Sequence, residues 1–376
     1  MTSSLPLLAG AALIAGLMSP PLIGTTTTEH ERQAVNATAQ PARSTRLTRP
    51  VRRAINPGSP ASPASPASPN RPVSPNRPVS PERPVSPERT DVVEHVAARD
   101  TSDQRRVLDY WTPRRMAEAL PIGLLDTVTG VTGVTGALGK PPAPTHHRAR
   151  TNGALWNAGG LVTRTTGRVF LTLRGIDFVC SASSVKSANK DLVVTAGHCV
   201  KDGTGAWADN WTFVPGYDQG HQPYGQFTAR RMFVAGPWSR SADDSYDVAM
   251  VALNRRADGH LTEIVGAQDI AFGTARGRLT HGFGFPADTP YDGEHLVYCS
   301  GPVHDDPHGQ TADQGLRCDM TAGSSGGPWL SDFDSATGHG AIISVSSFKY
   351  SDDRSTMYGP YFGDTARELY TTAERS

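Results

Sequence analysis

Residues 321–329 read Thr-Ala-Gly-Ser-Ser-Gly-Gly-Pro-Trp. Glycine adopts backbone angles that are closed to other residues, so a run with three glycines can bend sharply and bring its amides close to a substrate. If the hydroxyl of Ser325 attacks a carbonyl carbon, the N–H groups of Ser325 and Gly323 can both point at the negative oxygen that forms. The stretch predicts a nucleophilic serine with an oxyanion hole, although such a cluster alone is typical of an ordinary loop.

A second stretch, Thr195-Ala196-Gly197-His198-Cys199, follows the apolar run 192–194 and therefore stands at the end of a predicted strand. A serine hydroxyl needs a base within hydrogen-bond reach. The imidazole of His198 can take the proton and return it to the leaving amine. The two stretches together resemble the TAAHC-type and GDSGGP-type segments of trypsin/chymotrypsin-like serine peptidases. The resemblance is to the secreted actinobacterial trypsin-like and glutamyl-endopeptidase-like subgroup.

The orienting carboxylate is expected at the start of a strand between His198 and Ser325. Asp247 leads directly into the apolar run 248–253, which resembles the DIAL-type segment of the family. Asp243 and Asp244 are rivals, but neither leads directly into an apolar strand. The predicted catalytic residues are therefore His198, Asp247 and Ser325.

Short segments with frequent Gly, Pro and Asp between them follow residue 167 and favour an antiparallel β barrel or sandwich. The predicted strands are 168–174, 177–182, 192–195, 211–214, 226–234, 248–253, 296–300 and 340–347. The resemblance implies an all-β fold of two packed six-stranded antiparallel Greek-key barrels, with the catalytic cleft between them. A mostly disordered leader is expected to precede them.

Four cysteines lie in the C-terminal part, and an even count behind an export signal indicates two disulfides. The sequence alone permits three pairings. We favour the two that are local in sequence, Cys180–Cys199 and Cys299–Cys318, and the family resemblance implies the first. A closed loop of about 20 residues is worth roughly 3 kcal/mol.

The N-terminal part divides by composition. Residues 1–24 contain an apolar run, 5–18, which predicts a signal peptide, with an uncleaved anchor as the alternative. Residues 25–90 are predicted to be a disordered Pro-rich spacer, because proline recurs at every third position from Pro57 to Pro87. Residues 91–150 are a pro-segment and linker, and 151–376 the peptidase domain. Thr112-Pro113 predicts a helix start.

The pro-segment is suggested by residues 110–119, which resemble a leader element of secreted actinobacterial enzymes. One departure from the family bears on its activation. Ser324 stands where the family pattern has Asp, so the ion pair that activates animal zymogens is not available. Arg148 and Arg150 lie in a stretch that we expect to be exposed and cleavable.

Specificity is expected at Asp319, six residues before Ser325, where trypsin-like relatives place the carboxylate that binds substrate Arg or Lys. Glutamyl endopeptidases carry Asp at this offset without that preference, so small or apolar side chains remain the alternative. The segment 343–347 is expected to line the substrate, with Ser344 and Ser346 as candidate contacts.

Two other function classes compete with the peptidase. A non-catalytic binding protein on the same fold is disfavoured by the intact Ser, His and Asp. A metallohydrolase built on His281, His304 and His308 is disfavoured because neither HExxH nor a compact ligand spacing is present.

The net charge of each part of the chain limits the classes of partner that we expect. Residues 151–376 hold 18 Lys+Arg and 25 Asp+Glu, a net charge of −7, whereas residues 1–150 hold 18 and 11, a net charge of +7. The acidic C-terminal part has no basic cluster that indicates nucleic acid. We expect a monomer, secreted or cell-wall associated, that acts on protein or peptide without a cofactor or metal. Membrane contact is expected only through an uncleaved N-terminal anchor.

Overall fold

The computed structural model describes residues 92–124 and 149–376. The predicted signal peptide or anchor (1–24), the spacer (25–90) and the linker from 125 to 148 lie outside the described residues. Among the helices that are described, none has the length and apolar character needed to cross a membrane.

The described chain is mostly β-structure. Its strands are β1 (Val92–Val96), β2 (Leu120–Pro121), β3 (Arg150–Leu155), β4 (Thr166–Leu173), β5 (Ile176–Ser184), β6 (Leu192–Thr195), β7 (Asp209–Pro215), β8 (Phe227–Ala235), β9 (Ala249–Leu253), β10 (Asp269–Ile270), β11 (Leu279–Gly284), β12 (Val297–Pro302), β13 (His304–Asp305), β14 (Gln314–Arg317), β15 (Pro328–Asp334), β16 (His339–Val345) and β17 (Thr356–Gly359). Its α-helices are α1 (Thr101–Tyr110), α2 (Pro113–Glu118), α3 (Leu161–Thr165), α4 (Gly236–Ser241), α5 (Leu261–Val265) and α6 (Asp364–Ala373).

Six antiparallel strands close into a barrel in the first half of residues 151–376. Their order is β8-β7-β4-β5-β6-β9, and β9 pairs back to β8. Every residue of β4, β6 and β9 is buried, because these strands face the core on one side and other elements on the other. The all-β prediction and the six-stranded antiparallel barrel are confirmed.

The strands of the second half divide between two sheets. A six-stranded sheet has the order β10-β16-β15-β11-β12-β3, in which the two-residue strand β10 runs parallel to β16. A three-stranded sheet has the order β13-β14-β17. The loop 321–327, which carries the predicted nucleophile, leads directly into β15.

Both predicted disulfides are present, Cys180–Cys199 and Cys299–Cys318. The first joins β5 to the residue that follows His198, so it fixes the position of that residue against the barrel. The helix start predicted at Thr112 is also confirmed, because the Thr112 side chain accepts from the N–H of Arg115 at the beginning of α2.

Candidate active site

Two neighbouring strands bring His198 and Asp247 to the same end of the barrel. β6 and β9 are antiparallel, and Thr195 lies opposite Ala249. His198 follows the last residue of β6 by three positions, and Asp247 precedes the first residue of β9 by two. Both therefore lie just beyond the same end of these two strands. His198 lies in the 3₁₀ helix Gly197–Cys199, and Asp247 directly follows the 3₁₀ helix Asp244–Tyr246.

The carboxylate of Asp247 holds the imidazole of His198 at two points. Its Oδ2 lies 2.7 Å from the ring Nδ1, and its Oδ1 accepts from the backbone N–H of His198 at 2.7 Å. The hydroxyl of Ser347 donates to Oδ2. Because Asp247 is only 2% exposed, these partners and not water fix its orientation.

The same contacts keep Asp247 ionised. Burial raises the pKa of Asp247, but the charge of His198 and the hydrogen bonds from His198 and Ser347 act against it. The net result is a pKa below the ordinary value for an aspartate. An ionised carboxylate at Nδ1 favours the tautomer in which Nδ1 carries the proton and the other ring nitrogen can act as the base.

The loop around Ser325 has the backbone that an oxyanion hole needs. The carbonyl of Ala322 accepts from the N–H of Ala287 at 2.7 Å. Since a trans peptide points its C=O and N–H in opposite directions, the N–H of Gly323 is turned away from Ala287. Gly323 has φ +93°, and a Cβ there would lie 2.8 Å from the carbonyl oxygen of Phe285. Only glycine fits this position without strain.

Ser324 closes the turn where the family pattern has Asp. Its hydroxyl donates to the carbonyl of Thr321 at 2.7 Å and its N–H donates to the same oxygen at 3.2 Å. The side chain is buried. The loop is therefore held by a local hydrogen-bonded turn, without a carboxylate at this position.

Ser325 and His198 both lie against the disulfide Cys180–Cys199. The sulfur of Cys199 lies 3.7 Å from the carbonyl oxygen of Ser325, and the N–H of Ser181 donates to that oxygen at 2.7 Å. A ring nitrogen of His198 lies within 4.8 Å of both cysteine sulfurs. Sulfurs joined to each other are not thiolate ligands, so this grouping of His198 with two cysteines does not offer a metal site.

A sequence model described as Trypsin matches residues 159–362, which is more than half of the chain. The chain belongs to the trypsin family. As a member it is a serine endopeptidase of the hydrolase class, and the trypsin family implies protein or peptide as the substrate class.

Two solved structures of proteases resemble this chain. The protease Anisep from Arthrobacter nicotinovorans is 42% identical, with a TM-score of 0.54, over 57% of this chain and 96% of that protein. The thermostable serine protease AL20 from an extremophilic microorganism is 37% identical, with a TM-score of 0.55, over 57% of this chain and 99% of that protein.

A curated relative matches a shorter region. It is the protein named Extracellular metalloprotease of Bacillus subtilis (strain 168), 30% identical over 103 residues. The match covers 27% of this chain, and the chain spans about a third (33%) of the length of that relative.

Ser347 was expected only as part of the segment 343–347 along the substrate, and its contact with Asp247 was not anticipated. It lies two residues beyond the end of β16 and reaches Asp247 across 100 positions of sequence. Sequence inspection gave only a weak signal, a run of serines at the end of an apolar strand. The path of the backbone after β16 decides which of these serines contacts Asp247.

The structure places Ser344 and Ser346 inside the protein. The hydroxyl of Ser344 donates to the carbonyl of Pro360 at 2.9 Å, and that of Ser346 accepts from the indole N–H of Trp329 at 3.0 Å. Both residues are fully buried. Their hydroxyls hold β16 against its neighbours, and their role in substrate binding stays a prediction.

Asp319 is partly buried and already has protein partners on one oxygen. Its Oδ1 accepts from the N–H of Gly153 at 2.7 Å and from the hydroxyl of Tyr291 at 2.6 Å. Burial and the bond to Asp319 raise the pKa of the Tyr291 phenol. Lys349 is close enough for Asp319 to raise its pKa, although burial dominates and lowers the pKa of Lys349 to about 8.

The three histidines of the metallohydrolase alternative are not brought together. His281 packs against Phe333 in the second half, with ring centroids 4.8 Å apart, and burial lowers its pKa. His308 packs against Tyr350 with tilted rings whose centroids are 4.1 Å apart. Over residues 92–124 and 149–376, the only group of three potential ligand atoms is the one that includes the disulfide.

Proposed function

We propose that this protein is an exported serine endopeptidase that hydrolyses peptide bonds through an acyl-enzyme. Ser325 is the nucleophile, His198 the general base and acid, and Asp247 the residue that orients His198. The N–H groups of Gly323 and Ser325 form the oxyanion hole. The observation that carries this assignment is the contact of His198 Nδ1 with Oδ2 of the buried Asp247 at 2.7 Å, beside the loop that bears Ser325.

The reaction follows from these roles. The Oγ of Ser325 attacks the scissile carbonyl carbon while its proton passes to the ring nitrogen of His198 that does not face Asp247. The carbonyl oxygen becomes an anion that accepts from the two backbone N–H groups. His198 then gives the proton to the leaving amine, the C–N bond breaks, and an ester to Ser325 remains. Water repeats the two steps through His198 and releases the acid product.

The backbone supports the oxyanion hole as a preformed feature. Over the residues that the structure describes, the N–H groups of Gly323 and Ser325 have no hydrogen-bond partner within the protein. Their neighbours, in contrast, are tied: Ser324 to Thr321 and Gly326 to Ser346. Two donors that remain available on one loop suit a negative oxygen.

Labelling with a fluorophosphonate probe tests the assignment. We expect the wild-type chain to be labelled and Ser325→Ala to remain unlabelled. Ser324→Ala is the matched control, because it removes the neighbouring hydroxyl and leaves the nucleophile. Equal labelling of Ser325→Ala would show that the nucleophile lies elsewhere.

The proposal also covers where the enzyme acts, how it is processed and which residues it cleaves after. Two disulfides suit an oxidising compartment, outside the cytoplasm or at the cell wall. Residues 91–150 act as a pro-segment and linker that is cut at Arg148 or Arg150, and residue 150 is exposed at the start of β3.

Asp319 selects substrate Arg or Lys through its second oxygen, with small or apolar residues as the alternative. The mature enzyme acts as a monomer.

A further inference from the structure

The N-terminal segment 92–124, here called the leader, is folded onto the barrel. Its strand β1 pairs with β8 over five residues. Between its helices, Trp111 is 3% exposed and its indole N–H donates to the carbonyl of Asn210 at 2.5 Å. The hydroxyl of Tyr110 donates to Asp177 at 2.7 Å, and Met116 is buried. These contacts form a docking interface, which a simple linker would not need.

The end of the leader occupies an edge of β5 that is otherwise open. Leu120 pairs with Phe178 and Pro121 with Val179, in parallel. On this edge β6 pairs only with the far end of β5, at Ser183 and Ser184. The residue after Val179 is Cys180, whose disulfide partner adjoins His198. The open edge therefore leads to the general acid that protonates the leaving amine.

The next residues of the leader reach the oxyanion loop. Ile122 is 5% exposed and packs in the main core. A Cβ placed on Gly123 would lie 2.8 Å from the Cβ of Ala322, the residue directly before Gly323. Glycine at 123 therefore allows the leader to lie in close contact with the loop that forms the oxyanion hole.

We propose that the leader is an inhibitor of the peptidase, bound on the side of the cleft that receives the leaving half of the substrate. Extended peptides add to open strand edges, and β2 already takes this edge of β5. Gly123 lies against Ala322, and Ile122 before it is buried in the main core. Substrate residues after the scissile bond must therefore compete with the leader for the edge of β5 and for the space beside Ala322. This inference rests on the proposed function of Ser325 and His198.

The same contacts predict that one cut does not release the inhibitor. Cleavage at Arg148 or Arg150 would break the chain after the leader and leave every contact of residues 92–124 intact. The pairing of β1 with β8 and the buried side chains of Trp111, Met116 and Ile122 would hold the cut leader in place. Activation then requires dissociation or digestion of the leader.

The test compares two kinds of substrate in the full chain carrying Arg148→Gln and Arg150→Gln, which keep the leader attached. One substrate is a peptide with at least four residues after the scissile bond. The other has the same residues before that bond and a small chromogenic amine after it. We expect Ile122→Asp and Gly123→Leu each to raise kcat/KM for the long peptide at least tenfold, with a change below threefold for the short substrate. Leu108→Asp, at an exposed position of α1, is the control and should change neither.

A second arm adds a synthetic peptide of residues 92–124 to processed enzyme freed of its leader. We expect it to inhibit cleavage of the long peptide, and the same peptide with Ile122→Asp to inhibit at least tenfold more weakly. Fluorophosphonate labelling of all variants reports whether Ser325 reacts, independently of the leader. Unchanged long-peptide cleavage in folded, labelled Ile122→Asp and Gly123→Leu chains would overturn the inhibitor proposal alone. Loss of labelling in every chain would overturn the proposed function as well.

Discussion

The hydroxyl of Ser347 donates a hydrogen bond to Oδ2 of Asp247, the same oxygen that lies 2.7 Å from Nδ1 of His198. One carboxylate oxygen thus joins a serine beyond β16 to the imidazole beyond β6. The carboxylate is buried, so this third contact restricts its rotation and contributes to its lowered pKa.

Replacing Ser347 with Ala should weaken catalysis and stability together. A hydrogen bond to a buried charge is worth about 1.5–3 kcal/mol, so we expect the free energy of unfolding to fall by about that amount. We expect kcat to fall about 3–30-fold, because the carboxylate still contacts His198 at Nδ1. Denaturant unfolding and steady-state kinetics measure the two effects. An unchanged kcat would mean that Ser347 does not help to orient Asp247.

Asp247→Asn should lower kcat by about 10³–10⁴-fold while leaving the fold intact. The amide no longer supplies the charge that stabilises a protonated His198, and its NH₂ group favours the wrong imidazole tautomer. Kinetics on a peptide substrate, with circular dichroism as the check on folding, measure this. Asp243→Asn is the matched control on the same turn. An equal loss in Asp243→Asn would contradict the choice of Asp247 as the orienting residue.

The buried carboxyl group of Asp313 should make the free energy of unfolding depend on pH. It is 1% exposed, and neither carboxylate oxygen has a hydrogen-bond partner among the described residues. Burial, and then the charges of Asp247 and Asp244, raise its pKa to about 8. The folded chain therefore holds a proton at pH 4–8 that the unfolded chain has released, so stability falls as pH rises through this window.

The measurement is the free energy of unfolding at pH 5 and pH 8 for the wild type and Asp313→Asn. The Asn variant lacks the titration, so its stability relative to wild type should improve with pH, by at most about 1.4 kcal/mol per pH unit. Identical pH dependence in the two proteins would show that Asp313 does not hold its proton in the folded state.

Asp319→Asn tests the specificity assignment. If its carboxylate pairs with a substrate cation, kcat/KM should fall at least tenfold for a peptide with Arg before the scissile bond. The matched peptide with Ala at that position should change less than threefold. Tyr291→Phe is the control, because it removes one donor to Asp319 and keeps the charge. Equal losses on both peptides would indicate that Asp319 mainly anchors β3 through Gly153.

Local sequence patterns predicted the features that depend on neighbouring residues. The strand 192–195 matches β6, and Asp247 precedes β9 as expected, because an apolar run next to a polar turn is a local signal. The cap at Thr112 is local as well. Both disulfides join cysteines 19 residues apart, so the sequence-local pairing was the correct one.

Long-range contacts could not be predicted in this way. The barrel closes where β8 pairs with β9, and β1 adds to β8 from a part of the chain for which no strand was predicted. Ser347 reaches Asp247 only because two distant strands end at the same place. The buried positions of Ser344 and Ser346 depend on which face of β16 meets the core, and a run of small polar residues does not reveal it.

The central claim is that His198 activates Ser325, and the rate constant for fluorophosphonate labelling as a function of pH tests it most directly. We predict an adduct on Ser325, found by peptide mass spectrometry, whose formation speeds up as a single imidazole loses its proton. In His198→Ala the labelling rate should fall at least 10³-fold and lose this pH step. Labelling of His198→Ala at the wild-type rate, or an adduct on another residue, would contradict the account.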